Sequence, residues 1–173
     1  MKYGVHASES VDDIVARKMK EVEQCGKMFW GYGGVVCHPS TQVQPFISNN
    51  ILNGEKTYLL LAATPSKLFN EPVIMTEYSL DRKIWNKMPA GIKVSGSKYA
   101  IVCKSLEHCE LEINLDDYVV PLGDSKGVPV SEYMRGRVDK ACGLLSLNHE
   151  GTHSLLKVSL CAEIDYPGAV FCR

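Results

Sequence analysis

The chain carries little excess charge of either sign and no long apolar run, and each absence removes a class of function. Nineteen basic and twenty acidic residues leave a formal net charge of −1 at pH 7, too weak a positive field for broad capture of long nucleic acid or an acidic membrane. The longest apolar run, Tyr58–Ala63, falls far short of the ~20 residues that a spanning helix needs. No C-x-x-C pair occurs, and Cys103-x5-Cys109 lacks the second cluster of a structural zinc site. Seven cysteines (Cys25, Cys37, Cys103, Cys109, Cys142, Cys161 and Cys172) cannot all pair, and the Met1-Lys2-Tyr3-Gly4 start leads into no apolar signal core. Free thiols and a cytoplasmic, soluble protein are therefore expected, with no metal and no cofactor. Repeats, low-complexity tracts and linkers are also missing, as is a Walker A loop.

What is present fits one α+β domain over residues 1–173. Hydrophobic residues make up 45% of the chain and charged residues 23%, which is close to the average for folded proteins. Ser10 reads as an N-cap, and Asp12 and Asp13 suit a first turn. Val11, Ile14, Val15, Val22 and Cys25 share one face until Gly26, so a helix is expected over about 10–25. Lys18 falls inside that stripe, where its stem would pack while its ammonium reaches outward. A second helix is expected over 131–142, opened by Ser131, weakened by Gly136 and closed by Gly143. Strands are expected at 35–38, 57–63, 73–79, 99–105, 109–115, 118–121, 154–164 and 169–172, with a turn at Tyr166-Pro167-Gly168 making the last two a hairpin. Because strands come in runs rather than in βαβ alternation, a mostly antiparallel sheet packed by the two helices follows. Residues 80–98 give no clear signal.

Two segments carry candidate chemistry. In Phe29–Phe46, Trp30 and Tyr32 lie on one side of an extended chain, where they would stack on a flat ring, among glycines that admit a ligand to the backbone. Gln42 and Gln44 would share a side and read a base edge, with His38 beside them. In Pro121–Lys140, a glycine-flanked Ser125-Lys126 loop leads to the helix start at Ser131, a sensible cradle for phosphate. Arg137 borders the apolar face of that helix and would lean into the pocket, and Lys140 would be an exposed charge on the same helix. Plainer readings of both segments are a strand with core aromatics and an ion-paired helix.

The expected function is binding, as sensing or sequestration, of a phosphate-bearing small molecule such as a nucleotide, cyclic nucleotide or ADP-ribose-like signal. One alternative is a nucleotide- or phosphoester-processing enzyme using His38 or Cys37; neighbours on a strand point to opposite faces, so these two would not activate each other. His6-Ala7-Ser8 and His38-Pro39-Ser40 repeat an H-x-S pattern used by two-histidine phosphoesterases. Another alternative is a protein–protein interaction module, with the aromatic segment as its hot spot. A homo-oligomer is compatible with any of these.

Overall fold

Capping and periodicity place the first helix where the sequence predicts it. In a computed structural model describing residues 1–6, 8–33, 38–65, 73–136, 138–146 and 154–173, β1 (Lys2–Tyr3) precedes α1 (Val11–Cys25). Ser10 Oγ accepts from Asp13 N–H at 3.1 Å, and Gly26, at φ 68°, returns its N–H to the Val22 carbonyl at 2.9 Å. The chain continues through β2 (Met28–Gly31), α2 (Ser40–Leu52), β3 (Tyr58–Ala63), β4 (Glu77–Ser79), β5 (Asn86–Lys87), β6 (Tyr99–Cys103), β7 (Glu107–Asn114), β8 (Tyr118–Val119), α3 (Val130–Tyr133), β9 (Leu144–Leu145) and β10 (Leu155–Cys172). No helix is long and apolar enough to cross a membrane among the described residues.

β10 is the spine of the fold. Its first half runs between β3 and β7, with Leu160 opposite Leu61 on one side and His108 on the other. Its second half runs between β6 and β4, with Phe171 opposite Tyr99 and Ser79. β1 extends the first half alongside β3, β2 extends the second beside β6, and β5 pairs with β4. Every pairing is antiparallel except β1 with β3, so the α+β class with a mostly antiparallel sheet holds.

The expected C-terminal hairpin does not form. Ile164 opposes Cys103 and Ala169 opposes Ile101, so residues 165–168 bulge out of one continuous strand. Neighbours wait on both sides of the chain beyond the bulge, and pairing with them outweighs the local turn signal. α2 packs on the bulge, where Ser48 Oγ donates to the Pro167 carbonyl at 2.5 Å. Gly168, at φ 83°, is required there because a Cβ would lie 2.5 Å from Ile47 Cγ2.

After α1 the helices depart from expectation in two places. α2 forms where the sequence predicts no helix and carries Gln42 and Gln44, expected to share a side of an extended chain, and its inward stripe is Val43 and Ile47 with Ile51. Pro45 conceals it, since proline removes one helical N–H bond; the carbonyl it leaves unmet, on Thr41, sits at an exposed residue and can be hydrated. The expected helix over 131–142 is a single turn, Val130–Tyr133, because Gly136 takes φ 75° and turns the chain away.

Alternation along the central strands divides the core between the two faces of the sheet. Met28, Trp30, Tyr99, Ile101, Cys103, Leu160, Ala162 and Ile164 join α1 and α2 in one cluster. Phe29, Ala100, Val102, Val170 and Cys172 join Met75, Ile92 and Val94 in the other. A third, small cluster of Val120, Val130 and Met134 anchors α3.

Candidate functional site

The buried stripe of α1 holds two charges, Lys18 and Glu21, beside Ile14 and Val15. The expectation that Lys18 reaches outward is overturned, because acceptors converge on it from inside. Its ammonium donates to Glu21 Oε2 at 2.8 Å, Glu21 Oε1 at 3.0 Å, the Phe29 carbonyl at 2.5 Å and the Lys93 carbonyl at 2.8 Å. Burial nevertheless pulls its pKa down to about 8, against the raising influence of Glu21. Arg17 bridges Glu9 and Glu21 at 2.8 and 3.0 Å and donates to the Lys93 carbonyl at 3.2 Å, while Lys93 Nζ meets Glu9 at 3.2 Å. The network fastens α1 to the segment that leads into β6.

That junction opens into a cavity of about 170 Å³. Arg17 and Lys18 line it from α1, Trp30, Gly31 and Gly33 from β2 and its continuation, and Lys93, Ser95 and Ser97 from the opposite wall. Met1, Tyr3, His6, Asp139 and Lys140 also line it. Gly31 sets how closely the walls approach, since a Cβ there would sit 2.8 Å from Ser97 Oγ. Trp30 meets Tyr3 edge to face, with centroids 5.7 Å apart. Burial lowers the His6 pKa by disfavouring the charged imidazolium, against the raising influence of Glu9.

A second cavity, of about 160 Å³, lies on the same sheet face beneath α2 and the chain from Val130 to Gly143. Its walls are mostly apolar, with Phe46, Leu59, Ile101, Ile113, Met134 and Leu156 among them. Met1 and Lys140 line both cavities. Lys140, expected to be an exposed helical charge, is buried; the Lys2 N–H holds its neighbour through the Asp139 carbonyl at 2.7 Å. Its ammonium pairs with Asp139 Oδ1 at 2.9 Å and stands 5.5 Å above the centre of the Tyr32 ring.

The residues singled out from sequence divide between these places. Trp30 faces the cationic cavity and Tyr32 the apolar one, and both rings are core residues with little exposed surface. Gln42 and Gln44, on helical rather than extended backbone, no longer share a side. Gln42 instead abuts the loop after β8, with its Oε1 3.0 Å from where a Gly123 Cβ would stand. His38 is buried and stacked on Tyr133, with centroids 4.5 Å apart, and its Nδ1 lies 3.3 Å from the Tyr133 hydroxyl. Its Nε2 has no partner among the described residues, and burial lowers its pKa. Ser125 and Lys126 border neither cavity, and Lys126 is exposed. Ser131 does not cap a helix: Pro129 holds that position, and the Ser131 hydroxyl donates to Asp116 Oδ1, lowering that carboxyl's pKa. Cys37 and Arg137 lie outside the described residues.

No family model, curated protein or solved structure matches the chain.

The two candidate segments do meet, through Gln42 against Gly123, His38 on Tyr133 and Lys140 over Tyr32. The cationic cavity, however, draws on residues the sequence reading did not connect: Arg17, Lys93 and Ser97. A polar stripe position on α1 followed by Glu21 one turn later was the available signal for Lys18. Nothing local linked α1 to Lys93. Among the described residues no group of three or more His, Cys, Asp or Glu is placed to hold a metal ion. Cys25, Cys103, Cys109, Cys161 and Cys172 are free thiols, and burial raises the thiol pKa values of Cys103, Cys109, Cys161 and Cys172, the last to about 12.

Proposed function

We propose that the chain binds a small phosphate-bearing ligand, nucleotide-like in character, in the cationic cavity between α1, β2 and residues 93–97. One observation carries this reading: Arg17, Lys93 and Lys140 converge on a cavity that Trp30 and Tyr3 also line. Lys18 is saturated by its own acceptors and serves the fold. Lys93 and Lys140, each paired with a single carboxylate, keep ammonium donors for a phosphate oxygen. A cyclic nucleotide or an ADP-ribose-like molecule belongs to the same chemical class. Binding without turnover, as in sensing or sequestration, is favoured because the cavity gathers cations and aromatic residues rather than an activated nucleophile with its base.

A processing enzyme keeps one supporting observation, the buried Nε2 of His38 without a partner among the described residues. Yet His38 lines neither cavity, and of the two histidines in the H-x-S repeats only His6 does.

The test uses a Trp85→Phe protein, in which Trp30 is the remaining tryptophan. Titration with orthophosphate, ribose 5-phosphate and the four common nucleoside 5′-monophosphates should change its emission and release or absorb heat. The bound compound should be recovered unchanged by mass spectrometry after heat denaturation. Absence of any signal across the series would refute the reading, and recovery of a hydrolysed product would transfer the chain to the enzyme class.

A further inference from the structure

We infer that the ligand straddles Lys140, placing its flat ring in the apolar cavity and its phosphate in the cationic one. This deepens the proposed function and rests on it. Each cavity, at about 160–170 Å³, is close to the ~150 Å³ that accommodates a single benzene-sized ring. Neither alone holds a nucleotide, but together they reach the lower end of the ~300–1,000 Å³ usual for small-ligand sites.

The two spaces are adjacent and share part of their lining. Met1 and Lys140 border both, and β2 with the residue after it supplies one aromatic ring to each, Trp30 to the cationic side and Tyr32 to the apolar side. Two residues along extended backbone span about 7 Å. A sugar separates the ring and phosphate of a nucleoside 5′-monophosphate on the same scale, so that unit matches the pair of cavities. The buried Lys140 ammonium gives the junction its polarity: it lies over the Tyr32 ring and beside Asp139, with a donor left for a phosphate oxygen. In the apolar cavity the ring would lie among Phe46, Leu59, Ile113, Met134 and Leu156. Apolar walls of this kind reward ring burial and contribute little to a bare sugar phosphate.

The experiment compares ribose 5-phosphate with the four nucleoside 5′-monophosphates by calorimetry, on wild type, Leu59→Trp, Ala141→Leu and Lys140→Met. Melting curves establish that each variant is folded. At least one nucleotide should bind wild type roughly tenfold or more tighter than ribose 5-phosphate, the scale on which a pocket reads a group of this size. Leu59→Trp and Ala141→Leu, which fill the apolar cavity from opposite walls, should each weaken that nucleotide to about the affinity of ribose 5-phosphate. Lys140→Met should weaken both compounds. If nucleotides bind no tighter than ribose 5-phosphate, or if both cavity-filling variants bind nucleotide like wild type, the ring does not enter the apolar cavity. The phosphate reading then still stands on loss of ribose 5-phosphate binding in Lys140→Met. If no compound binds wild type, both readings fail together.

Discussion

Lys18 and Lys140 are almost equally buried, at 4% and 5% exposure, yet their surroundings differ in kind. Lys18 offers three N–H groups to four acceptors, two from Glu21 and two from backbone carbonyls. Lys140 has one carboxylate oxygen and the face of a tyrosine, and it borders two cavities. A buried ammonium is tolerated only where hydrogen bonds or an opposite charge replace water. At Lys18 the protein supplies that replacement in full, so the charge belongs to the fold. Around Lys140 the replacement is partial, and a phosphate oxygen would complete it. Burial by itself does not separate a structural charge from a binding one; saturation does.

The largest expected effect comes from breaking the saturated side. Glu21→Gln leaves the Lys18 ammonium beside Arg17 without its buried counter-charge, and loss of one member of a buried pair costs about 3–5 kcal/mol. Urea unfolding measures it, and a loss under about 1 kcal/mol would mean that the two carbonyls with the glutamine amide oxygen satisfy Lys18.

On the other side, Lys140→Met should affect binding more than folding. A charged hydrogen bond contributes about 1.5–3 kcal/mol, so affinity for a nucleoside monophosphate should fall by one to two orders of magnitude, roughly. Asp139, partly exposed, can recover water when the ammonium is gone, and the melting temperature should move little. A large drop in stability with unchanged affinity would place Lys140 in the same class as Lys18.

His38 extends the comparison to a third buried base, and its effect should be smaller. Burial depresses its pKa, so near pH 7 it is neutral in both native and unfolded chains. As pH falls below the ordinary histidine value near 6.5, the unfolded chain takes up a proton that the native chain declines. Stability contributed by neutral His38 is therefore present above that value and declines with falling pH until the native imidazole protonates as well. One such group sets a slope of at most about 1.4 kcal/mol per pH unit. His6, also depressed by burial, adds in the same direction. Unfolding midpoints between pH 7.5 and 5 should fall less steeply in His38→Phe than in wild type; identical slopes would assign the dependence elsewhere.

The sequence made local features legible and long-range ones obscure. α1 could be read from Ser10, Gly26 and a 3.6-residue stripe because each signal acts within a few residues of its cause. Strands β3, β6 and β7 could be read because apolar or alternating runs identify a buried pleat. α2 was hidden by Pro45, whose penalty in a helix depends on whether water reaches the freed carbonyl. Tyr166-Pro167-Gly168 has turn chemistry, but β6 pairs with the chain on both sides of the bulge and β4 joins it beyond. Trp30 and Tyr32 were identifiable as special, whereas the pairing of Arg17 with the Lys93 carbonyl joins residues 76 positions apart. The stretch that gave no signal, 80–98, supplies one whole wall of the cationic cavity.

The smallest expected effect is the sharpest check on the comparison, and it concerns Lys126. From sequence, this lysine in a glycine-flanked loop is a phosphate contact and Lys140 an exposed control. The structure reverses their settings: Lys126 is exposed and borders neither cavity, while Lys140 is buried between them. An exposed lysine in a loop loses little when truncated, so Lys126→Ala should change stability by less than about 0.5 kcal/mol. If saturation and burial set which lysine binds, Lys126→Ala should also leave nucleotide affinity within about twofold of wild type, a difference below about 0.5 kcal/mol. Calorimetry on Lys126→Ala and Lys140→Met side by side decides the matter. A tenfold loss in Lys126→Ala with none in Lys140→Met would move the phosphate to the Gly123–Gly127 loop, outside both cavities, and would restore the assignment that the glycine spacing suggests.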